Sequence, residues 1–164
     1  GGPVLRDAIG EAVVRLQRDR QFRFAVGRGR LPDFFRNPHR APLEPPAHDL
    51  LAPDGYLLAT PANFGYMSGA LKHFFDSTFL QIGGALDPSG AAGESEGETK
   101  GRPFGLLVHG RYDTAGAVRS VLTIVGALGW RQGSDFLEVM GDVGEPDTDA
   151  AYELGGTIAA LVAS

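Results

Sequence analysis

Two continuous apolar runs, "YLLAT" (56–60) and "FGLLVHG" (104–110), constrain this chain more than any other feature. A half-exposed strand alternates apolar and polar residues. A run that is apolar at nearly every position must be covered on both faces, which marks a parallel strand inside a sheet. Each run is followed by a helical pattern. Ser68 to Phe79 carries Leu71, Phe74 and Phe75 at helical spacing. Thr114 to Leu128 turns Ala117, Val118, Val121, Leu122, Val125 and Leu128 inward, with Gly129 as its C-cap. Upstream, Val4, Leu5, Ala8, Ile9, Ala12, Val13 and Leu16 share one helical face, and "FRFAV" (22–26) alternates as a strand. Downstream, "SDFLEVMG" (134–141) alternates as a strand, and Asp147 is expected to cap a last helix reaching about Val162. The order helix, strand, strand, helix, strand, helix, strand, helix specifies an α/β fold, a parallel sheet covered by helices on both faces.

The remaining segments are connections. "GRGRLPDFFRNPHRAPLEPPAH" is rich in Pro and Gly and reads as a surface loop, and Pro53-Asp54-Gly55 closes a turn before the first apolar run. The Gly/Ser/Glu-rich stretch at about 81–102 reads as a flexible insertion within one domain spanning 1–164. No apolar run approaches the ~20 residues of a membrane helix, and no stretch of these residues has the basic start and apolar core of a signal peptide, so a cytoplasmic protein without membrane partners is expected. With no cysteine, the chain has no disulfide, thiolate nucleophile or cysteine-ligated metal. Nor does any His/Asp/Glu spacing suggest a metal. Net charge is −5, yet residues 1–40 hold nine Arg against four acids. Those arginines lack interleaved Tyr or Trp and any nucleic-acid motif, so they are read as a solvated face and no nucleic-acid partner is expected. "VGRGRLP" (26–32) imitates a dinucleotide fingerprint, but Pro32 stands in the third glycine position and no clear helix follows.

In an open α/β sheet, ligands bind at the carboxyl ends of the strands. Two strand-end loops stand out, "TPANFGYMSG" after the first apolar run and "HGRYDTAG" after the second. Both mix Gly, small polar residues and an aromatic. Gly lets the backbone approach a planar ligand, and free N–H groups at each helix start can donate to an electron-rich ring. Phe64 and Tyr112 are placed to pack on such a ring, and Asn63 and His109 to hydrogen-bond its polar edge. Against these stand plainer readings. Met67 and Phe75 suit a core, His73 and Lys72 an exposed helix, and Asp113 with Thr114 a helix cap. His109 either contacts a ligand or hydrogen-bonds a backbone carbonyl.

The first of these loops, with the helix after it, resembles the flavin-contacting region of flavodoxin-like NAD(P)H-dependent FMN reductases and quinone reductases. The matching residues are Thr60, Pro61, Ala62, Asn63, Phe64, Gly65, Tyr66, Met67, Leu71, Lys72, Phe75 and Asp76. "VHGRYDTAGAV" sits where that family has its second flavin loop, and the resemblance spans about residues 50–163. It implies a flavodoxin-like three-layer sandwich. It also implies FMN as cofactor, NAD(P)H as co-substrate, and a quinone or similar small molecule as electron acceptor; a homo-oligomer is compatible with it. The implied cofactor-binding residues are Pro61, Ala62, Asn63, Phe64, Gly65, Met67, His109, Gly110, Tyr112 and Asp113. No catalytic side chain is implied, because the flavin carries the hydride and electron chemistry. The family holds the FMN phosphate in a loop after its first strand. That first strand is expected to be missing from this chain, with Gly1-Gly2 as the end of the phosphate loop and Pro3 opening the helix. Two alternatives remain, a flavodoxin-like electron carrier and a cofactor-free flavodoxin-like interaction module.

Overall fold

The computed structural model describes Leu51 and residues 53–163. The helix expected over 4–16, the strand over 22–26 and the Gly1-Gly2 loop lie outside the described residues. Seven elements follow in order: β1 (Tyr56–Pro61), α1 (Gly69–Thr78), β2 (Pro103–Gly110), α2 (Ala115–Ala127), β3 (Arg131–Gln132), β4 (Leu137–Met140) and α3 (Glu145–Ala163). Every pairing between these strands is parallel, with β2 at the centre. β1 runs along one side of β2, from Tyr56↔Phe104 to Pro61↔His109. On the other side, β3 pairs with the start of β2 and β4 with its end. Among the described strands, β3 and β4 therefore form one edge strand that loses regular pairing between Gln132 and Leu137. The strand expected over 134–141 is regular only over Leu137–Met140. The interruption begins at Gly133, where a Cβ would lie 2.4 Å from Ile158 Cδ1, and continues through Ser134 and Asp135, which have little strand preference.

The two faces of the sheet are covered differently. Tyr56, Phe104, Leu106 and Val108 meet Met67, Phe75, Ala117, Val118, Val121, Val125 and Leu128 on the side of α1 and α2. Leu57, Leu107 and Leu137 meet Ala151 and Leu154 of α3 on the other. These three layers explain the apolar run of β2, which is buried at all of its positions. Gly105 lets α3 lie close against β2, since a Cβ there would come within 2.7 Å of Leu57 and 3.0 Å of Ile158 and Leu154. β1 is less covered, with Leu57 and Leu58 half-buried and Ala59 exposed.

Local capping sets the helix ends. The Ser68 hydroxyl accepts the Leu71 N–H at 3.2 Å and starts α1. α2 ends in a Schellman motif: Gly129 has φ +68°, its N–H donates to Gly126, and the Trp130 N–H donates to Val125. Asp147 lies inside α3 rather than ahead of it, and its Oδ2 accepts the Gly144 N–H at 2.8 Å, the return half of a capping box. No described helix is long and apolar enough to cross a membrane.

The segment 81–102 has no helix or strand of its own, yet it is tied to the core. Ile82 and Thr99 are buried. The Trp130 indole donates to Thr99 Oγ1 at 2.8 Å, and Thr99 Oγ1 donates to the Ile82 carbonyl. Ser95 Oγ donates to the Gly83 carbonyl. Trp130 in turn stacks on Tyr56, with ring centroids 3.8 Å apart.

Candidate functional site

The carboxyl ends of β1 and β2 lie side by side, and the loops that leave them are locked together. The Ala62 N–H donates to the His109 carbonyl at 2.7 Å, which extends the β1–β2 pairing past Pro61. The chain then reverses in a tight turn. Asn63 N–H donates to Tyr66 O and Tyr66 N–H to Asn63 O, at 2.8 and 3.0 Å. The two residues between them both have positive φ, Phe64 at +52° and Gly65 at +73°, the geometry of a type I′ turn. Glycine adopts this freely. Phenylalanine does not, and Phe64 is the only non-glycine residue with positive φ among the described residues. Its side chain is fully exposed. Behind the turn, Met67 is buried in the core and anchors the loop from beneath. The Ser68 N–H donates to Thr60 Oγ1 at 2.9 Å.

The second loop, Gly110 to Thr114, is pinned to the chain that leaves β4. The His109 ring is buried, and its Nε2 lies 2.7 Å from the Gly141 carbonyl. A carbonyl only accepts, so Nε2 carries the proton there. The Gly141 N–H returns a hydrogen bond to Gly110 O at 2.8 Å. Arg111 pairs with Asp142 at 2.7 Å, and the Thr114 hydroxyl donates to Glu138 Oε2. Asp113, rather than Thr114, caps α2 with its side chain, because Oδ1 accepts the Ala115 N–H at 2.9 Å. Tyr112 projects outward, 95% exposed.

The loops touch through residues without room for a side chain. A Cβ on Gly116 would sit 2.3 Å from the Gly65 carbonyl, and one on Gly65 would sit 2.8 Å from Asp113 Oδ2. A Cβ on Gly110 would lie 2.8 Å from Thr114 Cγ2 and 3.3 Å from Ala62 Cβ. Of the residues singled out from the sequence, Asn63, Phe64, Tyr112 and Asp113 are exposed on this edge, Gly65 and Gly110 form its close contacts, and Pro61 and Ala62 lead into it. Met67 and His109 point their side chains inward. Glu138, Gly141 and Asp142 had no signal in the sequence. They lie some 24 to 32 residues from their partners, and no local pattern announces such contacts.

Comparison with known proteins agrees with this architecture. No curated protein matches the chain. The structure is similar to that of a WrbA-like flavodoxin from Agrobacterium tumefaciens, at 15% identity over 70% of this chain and 69% of that one, with a TM-score of 0.55. It is also similar to a flavodoxin from the domain Archaea, at 12% identity over 73% of each chain, with a TM-score of 0.58. At these identities the likeness establishes a flavodoxin-like fold. The sequence profile described as NADPH-dependent FMN reductase matches residues 24–137. The chain therefore belongs to the NADPH-dependent FMN reductase family, with FMN as its cofactor and NADPH as its co-substrate.

Proposed function

We propose that the two strand-end loops hold the isoalloxazine ring of FMN, and that NADPH and then a quinone or similar small acceptor meet the ring at this edge. The observation that carries the reading is Phe64. A bulky side chain at positive φ, fully exposed to water, is unfavourable on both counts. Strain of that kind persists where a function needs it, and a flat ligand over the ring would remove the exposure.

The residues present fit such a ligand. Phe64 and Tyr112 offer exposed aromatic surface from the two loops. Gly65 and Gly116 bring the loops closer than side chains would permit. The N–H groups of Phe64, Gly65, Arg111 and Tyr112 have no acceptor among the described residues, so they can donate to the polar edge of a ring. Asn63 adds an exposed amide. Bound FMN supplies the hydride and electron chemistry. The chain's own contribution is to bind and orient: Phe64 and Tyr112 cover ring surface and exclude water, the loop amides fix its polar atoms, and His109 and Asp113 hold the second loop in shape. Met67 supports the first loop from the core.

The test is turnover by the FMN-loaded protein. NADPH oxidation followed at its near-ultraviolet band is expected to accelerate when a benzoquinone is added. A loaded protein that leaves NADPH unoxidised with every quinone tried would contradict the enzymatic reading and favour an electron carrier.

A further inference from the structure

A hydride from NADPH delivers two electrons and one proton, so the ring that accepts it gains one negative charge until a proton from solvent follows. Charges fixed beside a flavin therefore set how strongly it holds those electrons. The two strand-end loops (residues 62–68 and 109–114) contain one acidic side chain, Asp113, and one arginine, Arg111. Arg111 is matched by Asp142 at 2.7 Å. Asp113 has no cationic partner among the described residues.

The two oxygens of Asp113 are placed differently. Oδ1 accepts the Ala115 N–H at 2.9 Å and caps α2. Oδ2 accepts no hydrogen bond among the described residues and faces the other loop, since a Cβ on Gly65 would lie 2.8 Å from it. Gly116 closes the same contact, because a Cβ there would lie 2.3 Å from the Gly65 carbonyl. The carboxylate thus stands where the two loops meet, against the Phe64–Gly65 turn. It is exposed to water, which screens its charge. A ring laid over both loops excludes that water, and the interaction between the carboxylate and the charge arriving on the ring strengthens as the local dielectric falls.

We infer that Asp113 lowers the reduction potential of the bound flavin through its unpaired Oδ2, so that the reduced ring gives up its electrons to the acceptor more readily. The inference rests on the proposed placement of FMN at these loops. It is separate from the capping of α2, and asparagine divides the two roles. Asp113→Asn keeps a side-chain oxygen for the Ala115 N–H and removes the charge. Every other charge of the protein stays in place, so the difference between wild type and variant reports on this carboxylate.

The midpoint potential of the FMN-loaded protein tests it, measured at neutral pH and low ionic strength by equilibration with a reference dye. Asp113→Asn is expected to favour the reduced ring about tenfold, a rise of about 30 mV for a two-electron couple. By linkage, the affinity for reduced FMN relative to oxidised FMN is expected to rise by the same factor. Glu153→Gln removes an exposed charge midway along α3, and is expected to change neither quantity by more than about twofold. An unchanged or lower potential in Asp113→Asn, or an equal rise in Glu153→Gln, would overturn the inference. Failure of the wild type to take up FMN, read beforehand by visible absorbance, would instead count against the proposed flavin site.

Discussion

Phe64 and Gly65 make the two halves of one turn, and they separate stability from function in opposite ways. Glycine in place of Phe64 removes a Cβ from a left-handed backbone position. Phe64→Gly is expected to hold the melting temperature or raise stability by up to about 1 kcal/mol, while FMN binds more weakly. A fall in stability with unchanged FMN affinity would mean that the ring serves only the fold. Gly65→Val adds a branched side chain at φ +73°, with its Cβ 2.8 Å from Asp113 Oδ2. The strain is about 1–3 kcal/mol. The variant is expected to unfold cooperatively, with native far-ultraviolet circular dichroism, and to lose FMN binding. Away from this edge, burial raises the Tyr56 phenol above its ordinary value, with Arg102 opposing. The folded chain thus keeps the proton to higher pH than the unfolded chain. That contribution to stability is complete below the unfolded value of about 10 and is lost as pH rises through the folded one. Melting temperature is therefore expected to fall more steeply above about pH 10 in the wild type than in Tyr56→Phe. Parallel curves would show that Tyr56 does not govern the loss.

Among the elements, what could be read from the sequence divides by distance along the chain. The helices over Gly69–Thr78 and Ala115–Ala127 followed from 3.6-residue periodicity and a serine or glycine at one end. β2 followed from its unbroken apolar run. Segment 81–102 offered no periodicity, because its order comes from Thr99, Ser95 and Trp130 meeting residues 12 to 31 positions away. The same holds for the contacts from 138–142 that pin the second loop. The left-handed conformation of Phe64 was equally hidden, since only the glycine after it hints at the turn. Thr99 supplies a direct test of the tie it makes. Thr99→Val leaves the Trp130 indole N–H without its acceptor and the Ile82 carbonyl without its donor. A loss of about 1–3 kcal/mol is expected in denaturant unfolding. Emission from Trp130, the one tryptophan of the chain, is expected to shift to the red if the segment opens. Wild-type stability and emission in Thr99→Val would show that the buried relay is not what holds the segment.

For the molecule as a whole, the sheet brings together what the sequence keeps apart. Residues 60–67 and 109–114 become neighbours because β1 and β2 pair in parallel from Tyr56↔Phe104 onward. Parallel pairing places both strand ends, both helix starts and the exposed rings of Phe64 and Tyr112 on one edge, the position where open α/β sheets bind ligands. The edge strand broken into β3 and β4 then delivers Glu138, Gly141 and Asp142 to the same place. The central claim is that this edge is a flavin site, and titration of the protein with FMN, followed by visible absorbance and flavin fluorescence, tests it most directly. Saturable uptake of about one FMN per chain is expected in the wild type, with sharply reduced affinity in Gly65→Val. No uptake by the wild type, or uptake that Gly65→Val and Phe64→Gly leave unchanged, would contradict it.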